Sequence, residues 1–284
     1  MAHTHQTESM WTIKHVKDTL PKREQASHKG TFGTGLLVAG NRDMPGAAIL
    51  SGLGAMRSGI GKLEIATEPE VISLMVSSLP EATYVRSGLQ KIADGLVDVS
   101  PYRAVAIGPG ILPDRLTEQA IENILDSHSP LILDAGALSQ RNYMERPAPV
   151  ILTPHPGEFS RITGVDLEEL LTKRSFYAAK FAEKLGVAIV LKGDNTVIAF
   201  PDGDTWTNPT GNAALAKGGT GDTLTGMLLG MLCCHEDWKH AVLNAVFLHG
   251  ACADKWAETR SIHTLLAHEI SGLLPEVWKS VERE

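Results

Sequence analysis

The sequence predicts an α/β protein in which a mostly parallel central sheet is flanked by helices on both faces, a three-layer α/β/α arrangement. Short apolar runs recur along the chain, segments of helical periodicity lie between most of them, and glycine-rich or polar motifs follow several runs directly. Strand, helix, strand, helix in that order favours a parallel sheet with crossover helices.

The elements follow in chain order. Residues 1–25 are polar and read as an N-terminal arm. Strands are expected at Leu36–Ala39, Leu63–Ala66, Ala104–Ile107, Leu131–Leu133, Val150–Leu152, Ala188–Leu191 and Val197–Phe200. Helices are expected at Pro45–Arg57, Leu116–Leu125 and Leu170–Leu185. Only Gly193, Asp194 and Asn195 lie at the heart of the last strand-to-strand connection, so a hairpin or tight turn replaces a crossover there. From Gly219 onward the pattern is helical, with one helix to about Cys233, a second from His240 to about Glu258 and a third from Leu265 to about Val281. No linker, repeat or low-complexity tract divides the chain, and residues 1–284 read as a single domain.

Composition narrows the functions. With 43% hydrophobic and 21% charged residues the chain suits a soluble protein with a full core. A formal net charge of -7 argues against a surface that grips nucleic acid or anionic lipid. Cys233, Cys234 and Cys252 form neither a disulfide framework nor a zinc knuckle. The polar start and the lack of an 18-residue apolar run predict a cytoplasmic protein without a membrane span.

The candidate chemistry lies after strands, where an open α/β sheet forms its ligand crevice. Gly108-Pro109-Gly110, Asp134-Ala135-Gly136, Thr153-Pro154-His155-Pro156-Gly157-Glu158 and Lys192-Gly193-Asp194-Asn195-Thr196 all sit there. Each alone reads equally as a turn; together they mark one edge. The sharpest motif is Asn208-Pro209-Thr210-Gly211-Asn212 followed by Lys217-Gly218-Gly219-Thr220-Gly221-Asp222, which leads into a long apolar helix. Amides and dipole at such a helix start favour an anion, and a phosphate fits. Asp222 beside an anion hole would repel phosphate unless it accepts a proton from the attacking hydroxyl; a capping role is its structural alternative. Neither a Walker loop nor a dinucleotide GxGxxG fingerprint is present. His249, Cys252 and Asp254 fit a packed helix better than a catalytic cluster, and Cys233-Cys234-His235 is assigned no metal.

Gly219 to Asp222 resemble the GTGD signature of the ribokinase-like superfamily. Within it, Met44-Pro45-Gly46-Ala47-Ala48, Gly108-Pro109-Gly110, Asp134-Ala135, Thr153 to Glu158, Val190-Leu191-Lys192-Gly193 and Gly211-Asn212 through Asp222 are similar to the ADP/ATP-dependent NAD(P)H-hydrate dehydratases, in order and spacing, from about Gly30 almost to the C-terminus. The resemblance implies a ribokinase-like fold and an ADP- or ATP-dependent lyase. It would restore NAD(P)H from its 6-hydroxy hydrate by phosphorylating the C6 hydroxyl and eliminating phosphate.

In that reading Asp222 is the general base, with Gly219, Thr220 and Gly221 forming the anion hole. Ala47, Gly110, His155 and Asp222 contact the hydrate, while Lys192, Gly193, Asp194, Asn195, Thr196 and Gly221 contact the nucleotide. Asp134 and Glu158 are candidates for a water-mediated magnesium shell, weakened because Gly136 stands where many relatives carry a second acid. The family further implies a homotetramer and, for stand-alone bacterial members, a preference for ADP. The epimerase domain fused to this module in many relatives has no room, so no epimerase activity is expected. A ribokinase-like kinase for a vitamin precursor or sugar and a non-catalytic nucleotide sensor are the alternatives. The Thr153-to-Glu158 motif separates the first from the hydrate reading and intact Asp222 argues against the second.

Overall fold

The computed structural model describes residues 9–141, 143–144 and 146–283. The apolar runs become the strands of one sheet: β1 (Ser9–Met10), β2 (Thr34–Val38), β3 (Lys62–Thr67), β4 (Thr83–Arg86), β5 (Ala104–Ile107), β6 (Leu131–Leu133), β7 (Val150–Leu152), β8 (Ala188–Leu191), β9 (Val197–Ala199) and β10 (Thr205–Thr207). Their order is β1-β10-β9-β8-β7-β6-β5-β2-β3-β4. From β8 through β4 every pairing is parallel, whereas β8–β9 and β9–β10 are antiparallel. The expected turn at Gly193–Asn195 is therefore a hairpin.

Strands β5 to β9 are buried on both faces of the sheet, which is why they are unbroken apolar runs. Leu36 and Val38 of β2 face one core with Leu131, Leu133 and Leu152, while Leu37 faces the other with Ile132 and Ile151. The first core is closed by α4 (Gly88–Ala93), α5 (Arg115–Leu125), α6 (Pro156–Thr163), α7 (Leu167–Thr172) and α8 (Arg174–Leu185). The second lies under α1 (Ile13–Thr19), α2 (Pro45–Arg57), α3 (Pro69–Met75), α9 (Thr220–Cys234), α10 (Trp238–Ala257) and α11 (Ala267–Arg283).

Two expectations need correction. The N-terminal segment is no loose arm where it is described: β1 pairs with β10, Trp11 is buried and donates from its indole nitrogen to Asn244 Oδ1 at 2.9 Å, and Val16 is fully buried. Two apolar anchors among polar residues carry too little periodicity to be read locally. Residues 1–8 of that expectation lie outside the described residues. The single helix expected over 170–185 is two, because Lys173 leaves helical geometry (φ -138, ψ 42) and Asp166 caps a separate α7.

Two features place the site. The chain runs outward from β2 to β3 and β4, then returns to β5 on the other side of β2, making a topological switch whose crevice opens at the strand carboxyl ends. Helices α2 and α9 touch backbone to backbone, since a Cβ at Gly226 would collide with the Ser51 carbonyl and one at Gly54 with that of Thr223. That contact brings the beginnings of both helices to the crevice.

Candidate active site

The start of α9 is built from its own loop. Gly219 adopts φ 90, a left-handed conformation natural to glycine, and its carbonyl accepts the Thr223 amide at 3.1 Å. Gly221 and Asp222 thus precede the first intrahelical bond, so their amides face outward without a helical acceptor. Thr220 is different: its amide turns to Lys217 O at 3.4 Å and its hydroxyl to Leu215 O and Lys217 O, both at 2.9 Å. Its side chain and its amide both fasten the loop, so Thr220 offers no free donor and the expectation that it joins the anion hole is corrected.

Asp222 stands in this first turn. Burial and, next, the negative charge of Asp134 push its carboxyl up to about 6, with Lys192 pulling the other way. A carboxylate with that value is ionised at neutral pH yet basic enough to take a proton.

The neighbouring charges form one knot. Asp134 is 1% exposed; Thr153 and Thr225 hydroxyls each donate to it at 2.7 Å, and Lys192 Nζ lies 2.9 Å from Oδ1. Glu158 Oε2 lies 4.0 Å from the same ammonium and accepts the His155 amide at 2.8 Å. Burial opposes the charge of Lys192, but Asp134, Glu158 and, least, Asp222 outweigh it and hold the ammonium above its ordinary value. Lys192 Nζ also borders Gly221, 3.3 Å from where a Cβ would stand. A lysine therefore sits at the anion position with its charge secured from behind.

Asp134 and Glu158 converge on this ammonium rather than on an open point, and both oxygens of Asp134 are engaged. The pair does not fit a protein-held magnesium centre with Asp134 as direct ligand. Among the described residues no three His, Cys, Asp or Glu side chains gather as a metal site.

Gly221 lines a cavity of about 390 Å³. One wall is the β8–β9 hairpin, Lys192 to Thr196, whose turn takes positive φ at Gly193 and Asn195 and is tied down by Arg174 Nη2 on Leu191 O at 2.9 Å. The opposite wall is the Asn208–Asn212 segment. Asp254 of α10 holds it by accepting the Gly211 amide and Asn212 Nδ2, each at 2.9 Å, and the Thr210 hydroxyl donates to Phe247 O at 2.7 Å. Leu224, Val246 and His249 complete the lining. Burial lowers His249 to about 4, so its neutral ring donates from Nε2 to Thr220 O at 2.9 Å. His249 and Asp254 thus each brace a different part of the site.

After β7, His155 caps α6. Its Nδ1 accepts the Gly157 and Glu158 amides at 3.1 and 3.3 Å, which leaves the proton on Nε2, on a side chain 58% exposed. Gly110 and Ala47 meet at the switch: a Cβ on Gly110 would stand 2.9 Å from Ala47 Cβ and from Met44 O. The structure therefore brings Lys192 and the hairpin after β8, His155 after β7, Asp134 after β6, Gly110 after β5 and Ala47 after β2 to the carboxyl ends of neighbouring strands, with Asp222 joined to them through the charges of Lys192 and Asp134.

The sequence profile for NAD(P)H-hydrate dehydratase (Carb_kinase) matches residues 35–276. The chain is 63% identical over 272 residues to the ADP-dependent (S)-NAD(P)H-hydrate dehydratase of Bacillus subtilis, covering 96% of this chain and 98% of that one. The chain belongs to the NAD(P)H-hydrate dehydratase family. A crystal structure of the ADP/ATP-dependent enzyme from Bacillus subtilis, co-crystallised with ATP and Mg2+, superimposes with TM-score 0.96 at 62% identity, over 98% of this chain and all of that one. A ribokinase-like superfamily protein from Enterococcus faecalis does so with TM-score 0.86 at 27% identity, over the whole of both chains. The fold is ribokinase-like.

Within this NAD(P)H-hydrate dehydratase, Thr225, Asp254 and His249 were not singled out as site residues by sequence reasoning. Thr225 lies three residues beyond Asp222, hence on the same helix face, which was the one available clue. Asp254 and His249 act across the fold on segments more than 25 positions away, and no local pattern announces that.

Proposed function

We propose that this protein repairs NAD(P)H hydrate, using ADP or ATP to phosphorylate the C6 hydroxyl and then eliminating phosphate. The observation that carries the reading is a carboxylate raised to about 6 in the first turn of α9, beside outward amides and a secured lysine, with Lys192 and Gly221 lining a nucleotide-sized cavity. Membership of the family supports it, and ADP is the donor named for the Bacillus subtilis relative.

The chemistry follows from leaving groups. Hydroxide leaves poorly; phosphate leaves well. Asp222 accepts the C6 hydroxyl proton as the oxygen attacks the terminal phosphorus, whose bond to the nucleotide's bridging oxygen breaks. The amides of Gly219, Gly221 and Asp222 together with Lys192 Nζ stabilise charge on the phosphoryl oxygens, the dominant contribution in this kind of transfer, while Thr220 fastens the loop that presents them. Phosphate then leaves C6 as the ring nitrogen's lone pair pushes in, and loss of a proton from C5 completes the double bond. His155 donates from Nε2 to the hydrate, Gly110 and Ala47 let backbone and dinucleotide approach, and Gly193 to Thr196 hold the donor's adenylate part.

Glu158 is the carboxylate that would hold a donor-borne magnesium ion, through water, while Asp134 serves Lys192. The ion would offset phosphate charge. The protein works as one cytoplasmic domain within a homotetramer, as the family resemblance implies. Mixing the purified chain with magnesium, ADP or ATP, and NADH hydrate should restore reduced-dinucleotide absorbance and release phosphate. A stable phosphorylated product without that absorbance would point to the small-molecule kinase instead.

A further inference from the structure

A second cavity, of about 440 Å³, opens at the carboxyl ends of β2 to β5, whereas the donor cavity lies at that of β8. The loops after β2, β3, β4 and β5 line it, through Gly40, Thr67, Ser87, Gln90, Ile111 and Asp114 among others. It is continuous with the switch-point residues, since a Cβ on Gly110 would stand 3.1 Å from Gly40 Cα as well as against Ala47. From β6, which Asp134 directly follows, to β3 is three strand spacings, about 14 Å. An extended dinucleotide with its nicotinamide at Asp222 and its path over Gly110 and Ala47 covers that span.

The rim of this cavity is acidic. Arg42 is its one cation, and it is already held by Glu68 at 3.5 Å and Glu70 at 2.6 Å. Asp114 is the third carboxylate, accepting the Thr117 amide at 2.9 Å as the cap of α5. One positive and three negative side chains leave a net charge of -2 at the lining.

Resting on the hydrate-repair reading, we propose that this cavity receives the adenosine half of the dinucleotide, and that its rim selects a ribose with a free 2′-hydroxyl over one with a 2′-phosphate. A ribose hydroxyl can donate to carboxylates, whereas a 2′-phosphate wants an unengaged arginine. A 2′-phosphate also brings nearly two further negative charges to an already negative rim. NADH hydrate is then the preferred substrate over NADPH hydrate. Like-charge repulsion across a partly solvated rim gives a preference of about tenfold.

The test compares kcat/KM for NADH hydrate and NADPH hydrate on the full chain with ADP, together with dissociation constants for NADH and NADPH from nicotinamide fluorescence. The expected result is about tenfold in favour of the non-phosphorylated form in both readouts, shrinking at about 0.5 M salt as the rim is screened. The double substitution Glu68→Gln with Glu70→Gln releases Arg42 and should shift the ratio at least fivefold towards the phosphorylated form, an estimate from losing two nearby charges. Asp114→Asn keeps a competent helix cap and should narrow the ratio on its own. Equal values for the two forms in the unaltered protein, or ratios that neither substitution moves, would overturn the proposal while leaving hydrate repair standing. Selective NADH binding without turnover of either hydrate would support the cavity's assignment and defeat the repair reading instead. Binding of neither form would overturn both.

Discussion

Replacing Asp222 with asparagine should make the protein more stable and nearly inactive at once. The carboxyl rises from 3.8 to about 6, chiefly by burial and then by Asp134, roughly two units. At 1.36 kcal/mol per unit that is about 3 kcal/mol, and partial contact with solvent brings it to about 2 kcal/mol. Because the folded value is above the unfolded one, the native state holds the proton more tightly. Stability is therefore lost as pH rises from about 4 through about 6, and the whole penalty is present above that. Asparagine is neutral throughout. Its melting temperature should exceed that of the unaltered protein by about 5 °C at pH 7.5, with the gap closing near pH 4. Turnover should fall by at least about 100-fold, since an amide takes no proton at this pH. Differential scanning calorimetry at both pH values and the NADH-hydrate assay measure the two effects. A variant with turnover within tenfold of the original, or a melting shift equal at both pH values, would refute the reasoning.

Further outcomes follow from the same knot and its supports. Turnover of the unaltered protein should fall along a single-proton limb below about pH 6 as Asp222 protonates, read from the pH dependence of kcat. Lys192→Met strands the buried Asp134 and removes the cation that holds Asp222 down. It should cost about 3 kcal/mol in denaturant unfolding and move that acid limb to higher pH. Asp254→Ala frees Gly211 and Asn212, so the KM for ADP should rise about tenfold with a much smaller change in kcat. Burial pushes the Cys234 thiol up to about 12 and raises Cys233 and Cys252 as well, so iodoacetamide at pH 8 should label none of the three until the protein is unfolded, by mass spectrometry.

Much of the fold was legible because a strand buried on both faces has to be apolar at every position. The runs at Ala104–Ile107, Leu131–Leu133, Val150–Leu152 and Ala188–Leu191 coincide with β5, β6, β7 and β8. Strands β4 and β10 escaped notice: both lie towards the sheet's margins, are only partly buried, and carry no such run. The N-terminal segment escaped for a related reason, since Trp11 and Val16 are buried only after α10 and β10 are in place.

The site divides along the same line. Its main-chain parts sit in short local motifs, where positive φ calls for glycine at Gly193 in the hairpin and at Gly219 before α9, and Asp222 follows Gly219 by three positions. The chain alone thus determined the central strands, the crevice edge and the glycine-led start of α9. Only the tertiary structure decided what surrounds them: that Asp134 anchors Lys192 between two threonines, that Asp254 and His249 brace walls from a distant helix, and that an acidic cavity continues beyond the switch. Charges interact through space and without regard to sequence separation, so a carboxylate's partners and its affinity for a proton exist only once folding has brought them within a few ångströms.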